Sequence, residues 1–444
     1  MPRRSGSEAG RAALGYDAAV PTLRPFRALR YAPDAGDPSA LISPPYDVIG
    51  PDQAAVLRAR HARNAVYLDL PETLPGEAPE ARYRRAAGAL AAWRDDGTLR
   101  RDAHASIYVY EQAYPRPGRA TPGLQRGVFA TLVLEPFGSP AGVLPHERTM
   151  GGPKADRLAL LRATATDLSP IVGLCRLAGA PAAGPAAGST TDLLELVTDR
   201  PPDIEACDDD GVRHRLWAVD AESGGHAAQA RDWLARAGAG PITIADGHHR
   251  YETALAYQRE RPRADDVLAL LFDVATTELT ILPTHRLVRG SPAGGDLLAA
   301  AGRAFEVVGL PDAEALLAAM AQPPERQRMG LFTSGGRAAL LLPRGPRPVD
   351  VVEALDVSVL AAALETLLGI DAAATAGGRL AYTKDAAEAV DLVVRGEADS
   401  AFLLDPTPVE AVLDVAAAGR LMPQKSTYFY PKPATGLVFH VPGG

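Results

Sequence analysis

Residues 241–252 read PITIADGHHRYE, and this stretch restricts the local fold more than any other part of the chain. Ile242 and Ile244 alternate as on a buried strand, Asp246-Gly247 breaks the strand, and Tyr251, Ala254 and Leu255 resume at helical spacing. A strand, a tight glycine turn and a helix start bring free backbone N–H groups beside His248, His249 and Arg250. Such N–H groups, with the positive end of a helix dipole, attract anions. An arginine fork and two imidazoles add donors that suit phosphate. The plainer reading makes Asp246 a helix cap and the histidines surface residues. It accounts for Asp-Gly but not for three clustered cationic or titratable side chains. An anion or phosphate site at Asp246, Gly247, His248, His249 and Arg250 is therefore expected.

The basic residues carry a second signal. The chain has 46 Lys plus Arg, of which only Lys154, Lys384, Lys425 and Lys432 are lysine. With the alanine richness, this looks like a GC-biased genome, in which a solvated lysine is readily exchanged for arginine. A retained lysine is then enriched for places where a compact ammonium matters. Three of the four fall in HERTMGGPKADR (146–157) and QKSTYFYPKP (424–433). Lys384, in a plain helical stretch, is read as a solvated helix residue.

Those two segments are the next candidates. His146, Glu147, Arg148 and Thr149 precede a Gly151-Gly152-Pro153 elbow, then Lys154, Asp156 and Arg157. Gly-Gly-Pro argues against helix through the middle, so the pattern predicts a loop feeding a helix that begins near Lys154. Glu147 or Asp156 would act as general base, with Lys154 or Arg157 on a phosphate. A solvated loop with local ion pairs is the bland alternative. In the other segment Lys425, Ser426 and Thr427 superficially resemble the end of a P-loop, but the glycines are missing and Pro423 is badly placed, so a Walker site is rejected. A lysine and two hydroxyls in a proline-bounded turn still suit a phosphate or carboxylate. Two shorter signals, Pro44-Pro45-Tyr46-Asp47 and His285-Arg286, are either structural turns or further site lining. For metals, His249 and Glu252 share a helical face, but no zinc-hydrolase signature such as HExxH is present. Magnesium, which needs few protein ligands, fits more easily. No nucleophile elbow supports a serine-triad enzyme.

A chain of 444 residues suggests more than one lobe, and mixed short strands and helices indicate an α+β protein. The expected division is a tail over 1–22, a phosphate-binding region over 23–290 with a low-complexity loop at 177–189, and a C-terminal α/β lobe over 291–444 that lends 421–433 to the site. A short strand entering a proline turn is expected over 41–48, and another strand over 436–441. The net charge of −8 argues against a broad nucleic-acid footprint and against anionic membranes. Cys175 and Cys207 are too few for a disulfide framework. With no apolar run of membrane-spanning length and no signal-peptide core, a cytoplasmic location is expected.

Several separate segments, in order, resemble the family called domain of unknown function 1015: RPFRALRY with SPPYDV, HERT followed by Lys and Asp-Arg, ADGHHRYETA, LPTHRLV, LDVSVL with LLGI, and MPQKSTYFYPKPATGLVFH. The likeness spans about residues 23–442. ADGHHR is also similar to the second box of the ParB/sulfiredoxin-like fold, where such a turn opens a helix and holds phosphates. The resemblance implies a ParB/sulfiredoxin-like core and kinship with free-serine kinases, including a pyrophosphate-dependent type. Asp246, Gly247, His248, His249 and Arg250 would then hold the donor phosphates, with magnesium. The catalytic glutamate of those kinases has no unambiguous counterpart: Glu72, in YLDLPE, occupies a plausible place, and Glu147 has richer surroundings. The expectation is phosphoryl transfer from pyrophosphate or a nucleotide to a small hydroxylated acceptor, most plausibly free L-serine. The alternatives are a non-enzymatic nucleotide-binding regulator and, more remotely, a metal-dependent hydrolase.

Overall fold

The computed structural model describes residues 20–116, 121–147, 151–179, 189–290, 294–371, 374–375 and 377–443. Most of the expected tail and residues 180–188 of the low-complexity loop lie outside them. The protein is α+β, built on two mixed or antiparallel sheets. In the larger one the central order runs Val143–Leu144, Ile242–Asp246, Ile171–Cys175, Asp266–Asp273, Gly123–Val133, Ser106–Tyr114, Arg213–Asp220 and Ile204–Cys207, and Leu23–Arg24 adds to Gly123–Val133. Ile242–Asp246 pairs parallel with Val143–Leu144 and antiparallel with Ile171–Cys175, so the HER segment and the DGHH turn leave the same end of neighbouring strands. The second sheet runs Phe305–Leu310, Ala338–Pro343, Met329–Thr333, Ser400–Leu404, His285–Val288, Leu380–Thr383, all antiparallel.

Side-chain alternation explains how these sheets bury both faces. Ile242 and Ile244 pack with Trp217, Trp233 and Tyr251 on one face of the larger sheet, under the helix Ala227–Ala237. The opposite face carries Tyr108, Tyr110, Phe129 and Ala245, and its apolar cluster continues through Ile281, Met422 and Phe429 into Phe305, Met329 and Phe402 of the second sheet. The two sheets thus share one core. A small ribbon, Thr280–Leu282 against Tyr428–Tyr430, joins them.

Two expected strands take other forms. Within 41–48 only Ser43 pairs, as an isolated bridge to Thr435, and Tyr46–Val48 is one 3-10 turn, because Pro44 and Pro45 interrupt any ladder. Within 436–441 Phe439 bridges Leu29 and His440 bridges Asp167 without forming a continuous strand. The helix expected near Lys154 starts earlier, at Gly151. Pro153 falls in its first turn, where the missing N–H has no intrahelical partner anyway. Among the described residues, no helix is long and apolar enough to cross a membrane.

Candidate active site

The strand Ile242–Asp246 does not deliver Asp246 by simple alternation. Its register against Ile171–Cys175 shifts between Ile244 and Asp246, with Ala245 as the extra residue. Without this bulge Asp246 would share the core-facing side of Ile242 and Ile244. A bulge re-aims the next side chain, and here that side chain is a carboxylate. Gly247 then takes the left-handed conformation, φ +88°, and N-caps the helix His248–Glu260 without any side-chain cap. A Cβ at Gly247 would meet Arg250 Nε at 3.0 Å and the Ile171 Cα at 3.1 Å. Glycine is thus required by both conformation and space. The uncapped first turn opens onto a cavity of about 500 Å³ lined by Gly247, His248, His249 and Arg250.

Asp246 is the electrostatic centre of this wall. Its Oδ1 accepts from Lys432 Nζ at 2.7 Å and its Oδ2 from Arg250 at 2.5 Å. Burial opposes its ionisation, but Lys432 and Arg250 outweigh it and hold the carboxyl well below the usual carboxylate range. Arg250 also donates to the Pro170 carbonyl. The guanidinium expected to bind a phosphate is therefore largely committed to the protein, as a strut for Asp246.

Lys384, Lys425 and Lys432 all line the cavity, and Lys432, like Arg250, is held on Asp246, so the cationic charge left to a ligand lies mainly on Lys384 and Lys425. Lys384 is exposed, as expected, but lies just before a helix rather than in one: it precedes Asp385, the N-cap of the helix Ala386–Val394, and its ammonium sits 4.0 Å from the Tyr428 ring centroid. Partial desolvation lowers its pKa. Lys432 lies 4.8 Å from the same ring, so one aromatic face pair organises two ammonium groups.

The histidines are neutral struts. His146 is buried, donates from Nδ1 to the Ile244 carbonyl at 2.6 Å and accepts at Nε2 from the Thr427 hydroxyl at 3.0 Å. The His146 N–H donates to His248 Nε2 at 3.3 Å, which leaves Nδ1 of His248 as the protonated nitrogen. Burial depresses His146 to about 4 and His248 well below its ordinary value. Burial and then Lys154 lower His249 as well. The two imidazoles at the turn thus add dipoles rather than charge.

Glu147 completes the wall. It forms a parallel bridge with Met422, and its Oε1 accepts from the Lys425 N–H at 3.2 Å. Lys425 holds a left-handed φ of +59°, unusual for a lysine, which turns its N–H to that carboxylate. Arg286 fixes the other side of the same peptide region by donating to the Lys425 carbonyl at 3.1 Å. Burial raises the Glu147 carboxyl to about 7, against the pull of the Lys425 N–H and ammonium.

The remaining expected residues divide clearly. Tyr46 and Thr427 line the cavity, while Ser426 is buried and donates to the Pro423 carbonyl. Arg157 stacks 3.8 Å from the Tyr46 ring centroid and bonds the Asp69 carbonyl and Asp156, so Asp156 and Arg157 support Tyr46 from behind the cavity wall. Asp156 also accepts from Arg82 and Tyr83, which leaves it no proton-accepting role in the cavity. Lys154 pairs with Glu252 beside His249 and does not line the cavity. Glu72 faces Arg58 at the exposed surface, away from the cavity lining. His285 and Arg286 are buried in the second sheet: neither lines this cavity, and Arg286 reaches it only through Lys425. Arg148 and Thr149 lie outside the described residues. Asp47, in the Pro-Pro-Tyr-Asp segment read as a structural turn or site lining, does line the cavity, and so do Tyr382, Lys384, Tyr428 and Lys432, which were not named as site residues. The scarcity of lysine had pointed to the segment that holds Lys432, but Lys384 was set aside.

Two sheets meet at one polar cavity, with a bulged strand, an uncapped helix start and three lysines at its wall, in an α+β protein. The chain belongs to the family described as "Protein of unknown function (DUF1015)", whose model matches residues 23–358. The Lys425–Lys432 stretch lies beyond the matched part. No curated protein matches the chain. Among solved structures, a conserved hypothetical protein from Pyrococcus furiosus is 12% identical, with 65% of this chain and 86% of that chain covered and a TM-score of 0.33. A free serine kinase variant in complex with AMP is 13% identical, with 65% and 83% covered and a TM-score of 0.35. SbnI with C-terminal truncation from Staphylococcus aureus is 11% identical, with 67% and 83% covered and a TM-score of 0.34. These are distant likenesses.

Proposed function

We propose that this cavity transfers a phosphoryl group from a pyrophosphate or nucleotide donor to the hydroxyl of a small acceptor, with free L-serine as the acceptor of choice. The observation that carries the reading is the placement of Glu147, a carboxyl that burial raises to about 7, in one cavity with an uncapped helix start and three lysines. Phosphoryl transfer needs little covalent chemistry from a protein and much positioning and charge neutralisation. Lys384, Lys425 and the first-turn N–H groups of His248–Glu260 supply both for a bound polyphosphate, with Lys432 beside them on Asp246. A general base works best with a pKa near the working pH, and Glu147 meets that condition in a way Asp246 does not. Glu147 would take the acceptor's proton as its oxygen attacks the terminal phosphorus, and the bond to the donor's leaving phosphate breaks.

Magnesium fits the residues present. Asp47 lines the cavity, and its carboxylate has no ion-pair or hydrogen-bond partner among the described residues. One carboxylate together with donor oxygens is an ordinary magnesium environment. When bound, the ion would neutralise charge shared between the transferred and leaving phosphates. A zinc-type set is not found here: among the described residues, His104, Asp220 and Glu222 are the one group of three potential ligands, and none lines this cavity.

The test is an isotope-traced assay with L-serine and separate labelled donors, ATP, ADP and pyrophosphate, each with magnesium. Labelled phosphoserine from one donor is the expected result. Tight donor binding in calorimetry with no product from any donor would replace the kinase reading with that of a nucleotide-binding regulator.

A further inference from the structure

A second cavity, of about 940 Å³, shares Lys384 with the first and opens between the Thr280–Leu282 ribbon and the second sheet. Two independent features give it a donor-lined end. His285 is only 3% exposed, lines this cavity, and accepts the Leu404 N–H at Nδ1 at 3.1 Å. Its proton therefore sits on Nε2, which has no partner among the described residues. Burial lowers this imidazole to about 4, so it stays a neutral N–H donor. Beside it the nine-residue helix Val409–Ala417 begins at Pro408 with no side-chain cap, and both Pro408 and Val409 line the cavity. The first-turn N–H groups of such a helix favour a negative ligand group.

The rest of the lining limits the charge of that ligand. Glu278 is paired with Arg116 and Asp405 with Arg328, and Asp385 caps the helix Ala386–Val394. That leaves Asp210, whose carboxylate feels the positive charge of Lys384. A polyphosphate would meet too many carboxylates here. A single carboxylate would not, and an ammonium on the same molecule would complement Asp210. Leu317 and Met320 provide apolar wall between the two ends.

We propose that this cavity is a second small-molecule site that takes a zwitterionic α-amino acid, its carboxylate held by His285 Nε2 and the first turn of Val409–Ala417 and its ammonium facing Asp210. The site stands on its own lining and does not depend on the phosphotransferase reading. L-alanine is the probe, because it carries both charged groups yet has no hydroxyl to accept a phosphoryl group. His285→Asn keeps an acceptor for the Leu404 N–H and removes the distal N–H. Val409→Pro removes one first-turn N–H at a helix position that tolerates proline. Calorimetry on the full chain should show L-alanine binding that weakens by about tenfold or more in each variant, the scale of one lost charge-assisted hydrogen bond. Binding should persist in Glu147→Gln, which alters only the first cavity. No L-alanine binding by the unmodified protein would overturn the proposal, as would binding that is lost in Glu147→Gln and kept in both other variants.

Discussion

Proposed turnover, its pH dependence and stability meet at Glu147. In the unfolded chain its carboxyl ionises near its ordinary value of 4.5, and in the fold burial delays ionisation to about 7. The folded state therefore holds an extra proton between those values. Stability from this group is fully present below pH 4.5 and is lost as pH rises through 7. Catalysis by the ionised form has the opposite slope, so kcat/KM should rise with pH through about 7 before levelling. Glu147→Gln keeps the acceptor for the Lys425 N–H and removes the charge. Its melting temperature above pH 7 should exceed that of the unmodified protein, while turnover falls by about a hundredfold or more. Equal melting temperatures at pH 6 and pH 8.5 would show that the carboxylate is solvated. Lys432→Met should act the other way, by leaving Asp246 short of one of its two cationic partners. Breaking a buried ion pair costs about 3–5 kcal/mol, which a urea midpoint would record. Lys432 and Lys384 also mark the limit of reading residues in order. Scarcity of lysine flagged the type, but only the fold brings the Tyr428 ring under both ammonium groups. The helical neighbours of Lys384 made it look ordinary.

Among the elements, the strand, bulge and helix at 242–260 set the geometry of the cavity wall. Gly247→Ala would place a Cβ against Arg250 and the Ile171 backbone and impose a left-handed φ on alanine. The expected result is a stability loss of about 1–3 kcal/mol and weaker donor binding, followed by thermal melting and calorimetry. An unchanged donor Kd would remove the first turn from the binding site. The alternation of Ile242 and Ile244 and the Asp-Gly break made this element legible, because local pattern and tertiary role agree. The bulge at Ala245 was not legible, since it is set by pairing with Ile171–Cys175, a strand whose apolar run gives no period. The start of the helix at Gly151 was hidden for a related reason: a Gly-Gly-Pro run reads as a breaker, yet proline is harmless in a first turn. Over 436–441 the apolar residues suit a strand, but only Phe439 and His440 pair, one with Leu29 and one with Asp167.

At the scale of the whole molecule, the two sheets share one core and the cavity lies where they meet. The larger sheet supplies Asp246, Glu147 and the helix start, and the second supplies Tyr382, Lys384 and, through Arg286, the anchor of Lys425. Sequence pattern showed an α+β protein with chemistry in three distant segments. It could not show that Arg286 serves one of them by gripping a carbonyl. Arg286→Met should free the Lys425 peptide that Glu147 also grips, raising the donor KM and lowering kcat together, by about tenfold in kcat/KM, in steady-state kinetics. Unchanged constants would mean that the Lys425 turn holds its shape without the second sheet. The central claim is that donor binding and proton removal are separate tasks of one cavity, the first carried by lysines and N–H groups and the second by Glu147. A single-turnover experiment with labelled donor, magnesium and L-serine on Glu147→Gln separates them. The account predicts donor bound with nearly the unmodified Kd and no labelled phosphoserine formed; transfer at the unmodified rate, or a donor that binds neither protein, would contradict it.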